Sequence, residues 1–212
     1  MRRKEWEKFL VAGCLLVVPF VLGHAALAST VTVGLQAVVT GDAPRGSAPW
    51  LVATFEDDGN GNVKLTLTAP GLATGEFVGG NDNGVSGWYF YIKGLDGVSI
   101  VSSSGVTAGY ETGEFKNVIG GQAGDFNIRF YFGEANNNTN RLQAGDSVVV
   151  YLSGVSVDGI FSENNFKTLA HVQGIASTKG SGWVSVPIPG TAVLLGSGIL
   201  GLLGIRRKGR RS

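Results

Sequence analysis

Between Ser29 and Trp183 no run of twelve residues keeps a helical period, and turn-forming clusters interrupt the chain every ten to fifteen residues. A chain so punctuated cannot build long amphipathic helices. The short stretches between the turns alternate apolar and polar side chains, which is the mark of half-buried strands. The clearest case runs from Trp50 to Ala69. A strand over Trp50–Glu56 meets one over Asn62–Ala69 across Asp57-Asp58-Gly59-Asn60-Gly61, a turn chemistry that favours a hairpin. In the later strand Val63, Leu65 and Leu67 share one face, and Lys64, Thr66 and Thr68 the other.

The same pattern predicts strands at Val31–Val39, Gly97–Ser102, Asp125–Phe132, Asp146–Ser153 and Thr168–Ile175. Gly87–Lys93 is a central strand by its content. Trp88, Phe90 and Ile92 point one way and Tyr89 and Tyr91 the other, so both faces carry apolar bulk. Eight or nine such strands exceed what one flat sheet needs. The expected fold is all-β, a two-sheet antiparallel sandwich with Greek-key or jelly-roll connections.

The two ends read differently from this middle. Residues 1–28 have the form of a secretory signal peptide: Arg2, Arg3, Lys4 and Lys8, an apolar run from Phe9 to Leu22, and Ala26-Leu27-Ala28 as a small-x-small cleavage site. Such a segment implies a secretion translocon and a signal peptidase as partners. Two alternatives stand beside it. One is a permanent membrane helix, although Pro19 breaks the run. The other is a lipidated Cys14 in Val11-Ala12-Gly13-Cys14, although most of the oily residues follow that cysteine. Cys14 is the single cysteine, so an exported body cut after Ala28 has no disulfide and must hold together by burial. Nine of the seventeen basic residues lie in 1–28 or beyond Ile205, leaving eight against fourteen acids between, a net of −6. That balance argues against nucleic acid as a partner.

The last segment, 185–212, has three unlike parts in order. Val186, Pro187, Ile188, Pro189, Gly190 and Thr191 make a two-proline strip held out of a helix. Ala192 to Ile205 is a run of fourteen uncharged residues with eight Leu, Ile and Val side chains and four glycines. As a helix it is about 21 Å long against a hydrocarbon core of about 30 Å, a weak transmembrane anchor. Arg206, Arg207 and Lys208 begin the basic tail 206–212, which stays cytoplasmic and leaves everything before Val186 on the other side of the membrane. Taken together, VPIPGT, LLGSGILGLLG and RRK resemble the PEP-CTERM sorting signal of Gram-negative bacteria that export proteins into an exopolysaccharide matrix. The resemblance implies transient anchoring in the inner membrane, removal by a membrane-embedded exosortase, and delivery to the outer surface or extracellular matrix. Ile188 stands where the usual Pro-Glu-Pro carries its acid, a departure that bears on which exosortase subtype reads the motif. WLVATFEDDGNGNVKLTLTA, GWYFYI and AHVQGIASTKGSGWV also resemble the exported domain of a set of PEP-CTERM proteins with no established activity. The chain then divides into a signal peptide (1–28), an exported sandwich (29–184) and a sorting signal (185–212).

Little in the middle points to catalysis, and the expectation is a non-enzymatic body without a cofactor. His171 is the single histidine beyond the signal segment, and no Gly-x-Ser-x-Gly elbow accompanies it. The expectation for it is a backbone hydrogen bond near the last strand. Glu111 with Glu114, or Glu56 with Asp57 and Asp58, could serve a glycoside hydrolase if two carboxyl groups faced each other across a cleft, but as solvated loop charges they need no such role. The oxygen-rich turn Asp57, Asp58, Asn60 and Asn62 offers calcium ligand types, as does Asn81-Asp82-Asn83. Hairpin chemistry alone explains both, and an EF-hand is excluded by Val63 and Ala69. Asn137-Asn138-Thr139 fits a glycosylation sequon, read in a bacterial chain as an unmodified loop. The functional rival is a carbohydrate-binding module docking on exopolysaccharide through exposed aromatics. Trp50, Trp88, Tyr110 and Trp183 are available platforms, and Tyr89 and Tyr91 are the first choice because they oppose the core side of their strand.

Overall fold

The structure is a computed structural model and describes residues 29–79, 86–103, 106–119, 125–133, 140–162, 166–175 and 180–187. The expected signal segment with Ala26 and Ala28, the turn 81–83, the sequon 137–139, and Ile188 onward, including Thr191 and the basic tail, lie outside the described residues.

In chain order the strands are β1 (Thr30–Leu35), β2 (Ala37–Gly41), β3 (Leu51–Asp57), β4 (Asn62–Thr68), β5 (Phe77–Val78), β6 (Trp88–Tyr91) and β7 (Gly97–Ser103). There follow β8 (Ala108–Phe115), β9 (Phe126–Phe132), β10 (Leu142–Gln143), β11 (Ser147–Ser153), the helix α1 (Val157–Phe161), β12 (Lys167–Ile175) and β13 (Gly180–Ser185). They form two antiparallel sheets. The first has the order β1-β3-β4-β11-β7. The second has the order β10-β5-β12-β6-β9-β8, with β13 beside β12 and β2 beside β13.

The predicted hairpin is present, with Thr54 opposite Thr66 and Phe55 opposite Leu65. The segment 88–91 is central, paired with β12 on one side and β9 on the other. The expected single strand Val31–Val39 divides at Gln36. β1 stays with β3, whereas β2 crosses to β13, and the Gln36 amide bonds the Ser185 carbonyl at the corner. One run of chain thereby ties the two sheets together.

The core lies between the sheets, where the predicted alternation delivers Phe55, Leu65, Leu67, Val148, Val150 and Leu152 from the first sheet. Trp88, Phe90, Ile128, Phe130 and Phe132 come from the second. Each such side chain contributes about 1.5–3 kcal/mol by leaving water. Rings of Phe90, Phe161 and Phe166 meet the Phe55 ring edge-on at 6.1, 5.3 and 5.6 Å. Phe161 ends α1, whose start is fixed by two oxygens: Ser156 Oγ accepts from the Gly159 amide, and Asp57 Oδ1 accepts from the Val157 amide at 3.0 Å.

Among the described residues no helix is long and apolar enough to cross a membrane.

Candidate functional site

The two sheets have unlike outer faces. On the second sheet, strand register lines up Glu111, Arg129, Tyr89 and Leu169 across β8, β9, β6 and β12. Phe115, Val118 and Ile119, at the end of β8 and just beyond it, pack over Tyr89, Phe126, Leu169 and Trp183 as a second apolar cluster. Tyr89 is 1% exposed. Its ring lies 5.6 Å from Phe115 and 6.0 Å from Trp183. It does point away from the main core, as its position on the strand demands, but it has a cover of its own. This corrects the expectation of an exposed glycan platform at Tyr89. Burial raises the pKa of its phenol, and Arg129 beside it draws part of that shift back.

The other aromatics are placed as follows. Tyr91 is half-buried on the same face, opposite Lys167. Trp88 is core, as its alternation with Phe90 predicts, and its indole donates to Thr168 Oγ1 at 2.8 Å. Trp50 is buried and donates to the Gly46 carbonyl, while Tyr110 is exposed on the edge strand β8.

Arg129, which the sequence did not single out, is a fully buried guanidinium. Its Nη2 lies 2.9 Å from Glu111 Oε1, and its Cζ lies 5.6 Å from the centre of the Tyr131 ring. The N–H directions miss the carboxylate, so the contact is a charge pair rather than an aligned hydrogen bond. The arginine stem runs over Gly87. A Cβ there would stand 3.1 Å from Arg129 Cγ and 2.5 Å from the Phe130 carbonyl, and φ is +150°.

His171 sits one row away, stacked on Trp183 at 4.5 Å with 16° between the planes. Its Nδ1 is 3.2 Å from Ser86 Oγ. The expected backbone partner for the imidazole is therefore replaced by a hydroxyl, because the residue faces along the sheet toward the chain entering β6. Gln173 Nε2 donates to the same Ser86 oxygen, and Arg141 lies over the Phe77 ring at 4.3 Å. Burial pushes the imidazole down to about 4. Ser86 is itself buried, and among the described residues no carboxylate bonds the imidazole, so the pair reads as a polar tie between β12 and the start of β6.

The acids considered for hydrolysis are each committed elsewhere. Glu111 serves Arg129, Glu114 pairs with Lys116, and Glu56 Oε2 meets Lys64 Nζ at 2.9 Å. Asp57 holds α1. Asp58 Oδ1 accepts from the Asn60 and Asn62 amides at 2.8 and 3.0 Å, and Oδ2 accepts from Asn62 Nδ2. These bonds, the Asn60 amide first, hold the Asp58 carboxyl below its ordinary pKa. The oxygens named for calcium thus serve the turn and the helix. Among the described residues no three His, Cys, Asp or Glu side chains gather as a metal site.

The outer face of the first sheet is different again. Register places Thr32, Thr54, Thr66 and Val149 in one row, and Glu56, Lys64, Tyr151 and Ser99 in the next. Across β3, β4 and β11 these outward side chains are all half-exposed, whereas their inward neighbours are buried. Tyr151 was legible as outward-facing from Val150 and Leu152 on either side, but nothing in the sequence marked it among the aromatics.

Of the sorting residues, Val186 packs against the core directly after β13, its carbonyl accepting from Ser185 Oγ, and Pro187 is exposed. No protein-family model matches the chain, and no curated protein or solved structure matches it significantly.

Proposed function

We propose that this chain is an exported protein of a Gram-negative cell, delivered across the inner membrane and held there by a C-terminal transmembrane helix. An exosortase-like protease then releases it to the outer surface or surrounding matrix. Residues 1–28 form the signal helix removed by signal peptidase, and 185–212 are the PEP-CTERM-like sorting signal. The body between is a non-enzymatic β-sandwich with Greek-key or jelly-roll character. In the sorting step Pro187 and Pro189 present an extended strip to the protease, 192–205 holds the strip at membrane depth, and Arg206, Arg207 and Lys208 stop further transfer.

One observation carries the proposal. Among the described residues the first strand begins at Thr30, two residues past the expected cut after Ala28, and the last ends at Ser185, one residue before the proline-containing strip. Among the described residues, the main core cluster draws on both sheets from Val31 to Val186. Two sheets that enclose a core of their own support a reading in which the oily segments at either end act as delivery labels.

Intact-mass spectrometry of the protein recovered from culture tests this in one measurement. The expected product begins at Ser29 and ends within 186–191. Doubling Pro187→Ala with Pro189→Ala should leave the C-terminal segment attached. A released product of full length would overturn the proposal.

A further inference from the structure

The outer face of the first sheet carries a chemical pattern of its own. Between Ser29 and Ile205 the chain has fourteen acids against eight basic residues. In the two central rows of this face the one acid is Glu56, and Lys64 cancels it at 2.9 Å. What remains is Thr32, Thr54, Thr66, Ser99, Val149 and Tyr151. Thr32 Oγ1 and Thr54 Oγ1 lie 3.3 Å apart, and register places Thr66 next to Thr54 in the same row, so three threonines follow one another across neighbouring strands. Strand spacing sets such a file at about 4.8 Å per step. Tyr151 stands in the adjoining row, opposite Lys64 on one side and Ser99 on the other.

Charge and shape narrow what could lie here. A polyanion meets a body of net negative charge and finds no free cation in these rows, because Lys64 is already paired. A polycation finds no free carboxylate in them. A neutral, hydroxyl-bearing chain finds hydroxyls at regular spacing and an aromatic side chain among them. The surface belongs to a sheet face rather than a cleft, which suits the flank of an extended polymer and not its end.

We propose that this face binds a neutral polysaccharide laid flat across β3, β4 and β11, with Tyr151 as the stacking platform and the Thr54 and Thr66 hydroxyls as hydrogen-bonding partners. The site is independent of how the chain is sorted. It also differs from Tyr89 and Tyr91, which belong to the opposite sheet. One aromatic on an open face gives weak binding per site, so retention depends on a polymer that offers many sites.

Affinity electrophoresis of the full-length protein in detergent tests the proposal, with hydroxyethylcellulose and galactomannan as neutral probes and alginate as the anionic one. Neutral polymers should retard the protein and alginate should not. Tyr151→Ala should weaken retardation about tenfold, the effect of losing one aromatic contact. Thr66→Glu should abolish it, and Tyr110→Ala, at the exposed edge of the other sheet, should leave it unchanged. Thr32→Glu on the edge strand β1 repeats the charge insertion where folding is least at risk, and near-ultraviolet circular dichroism checks each variant. No retardation by either neutral polymer overturns the proposal. So does equal retardation by alginate, or indifference to both Tyr151→Ala and the inserted charge. Sedimentation showing a dimer that Thr66→Glu splits would assign the face to a second copy and overturn it as well.

Discussion

Deleting Glu111 should weaken the fold more than deleting the arginine it serves. Arg129 has no exposed side-chain surface, and its partner carboxylate is 48% exposed. Truncating one member of a fully buried pair costs about 3–5 kcal/mol, because the other charge is left without compensation. Here the acid is half in water, so its removal admits solvent to the guanidinium and the cost of Glu111→Ala falls to about 1–3 kcal/mol. Arg129→Met takes away the charge that needs compensating and keeps an unbranched stem over Gly87, while the freed carboxylate turns to water. What it loses is the contact with Tyr131, worth about 0.5 kcal/mol, and the interaction with the Tyr89 hydroxyl, so its total should be about 1 kcal/mol and below that of Glu111→Ala. Urea unfolding followed by tryptophan fluorescence reads the difference. At a slope of about 2 kcal/mol/M, losing about 2 kcal/mol moves the midpoint by about 1 M. In the Arg129→Met background, Glu111→Ala should then cost nearly nothing. If Arg129→Met proves as damaging as Glu111→Ala, or the second substitution still costs its full amount in that background, the guanidinium is not the stressed partner and the reasoning fails.

His171 gives a pH dependence of definite sign. Its folded pKa of about 4 lies below the ordinary 6.5, so on acidification the unfolded chain takes up the proton first. The contribution is constant above about pH 6.5, and stability falls by up to about 3 kcal/mol between there and about pH 4. Denaturation curves at three pH values should show the loss in the native chain and lack it in His171→Gln, and an identical slope in both would refute the assignment. Gly87→Ala should cost about 2 kcal/mol or more by placing a methyl against the Phe130 carbonyl at positive φ, seen as a drop in Tm; a neutral result would contradict the pairing of β6 with β9. Glu76 is fully buried and accepts from the Arg45 and Ala73 amides at 2.7 and 2.8 Å. Glu76→Gln should cost about 1–3 kcal/mol and speed hydrogen exchange at those two amides, whereas unchanged protection would show that the loops close without it.

What could be read from the chain followed from how each strand meets water. In β3, β4 and β11 one face is core and the other is wet, so the alternation is clean and their bounds were predicted to within two residues. β8 escaped because AGYETGEF runs along an exposed edge with no apolar period to detect. Its Glu111 and Glu114 suit an edge that must not recruit another strand. β13 escaped for a different reason. Gly182 lies so close to Asp42 that a Cβ would stand 2.0 Å from its carbonyl oxygen, and a glycine demanded by close packing looks in sequence like one demanded by a turn. α1, at five residues, is shorter than any period that could announce it.

Tyr89 and Arg129 expose the deeper limit. Period-two patterning gives the side of a sheet on which a residue lies, and for both residues that side was correct. Whether the side is wet is decided by chain far away in sequence, here Phe115, Val118 and Ile119 folding over β6 from the end of β8. Cover is a long-range property, and its cost appears as the buried guanidinium. The outward residues of β3, β4 and β11 tell the opposite story. They kept hydroxyls, one aromatic and a self-cancelling ion pair, and they remain half-exposed. A sandwich that drapes chain over one outer face and leaves the other patterned but open presents the open face as the place where an outside partner would meet it.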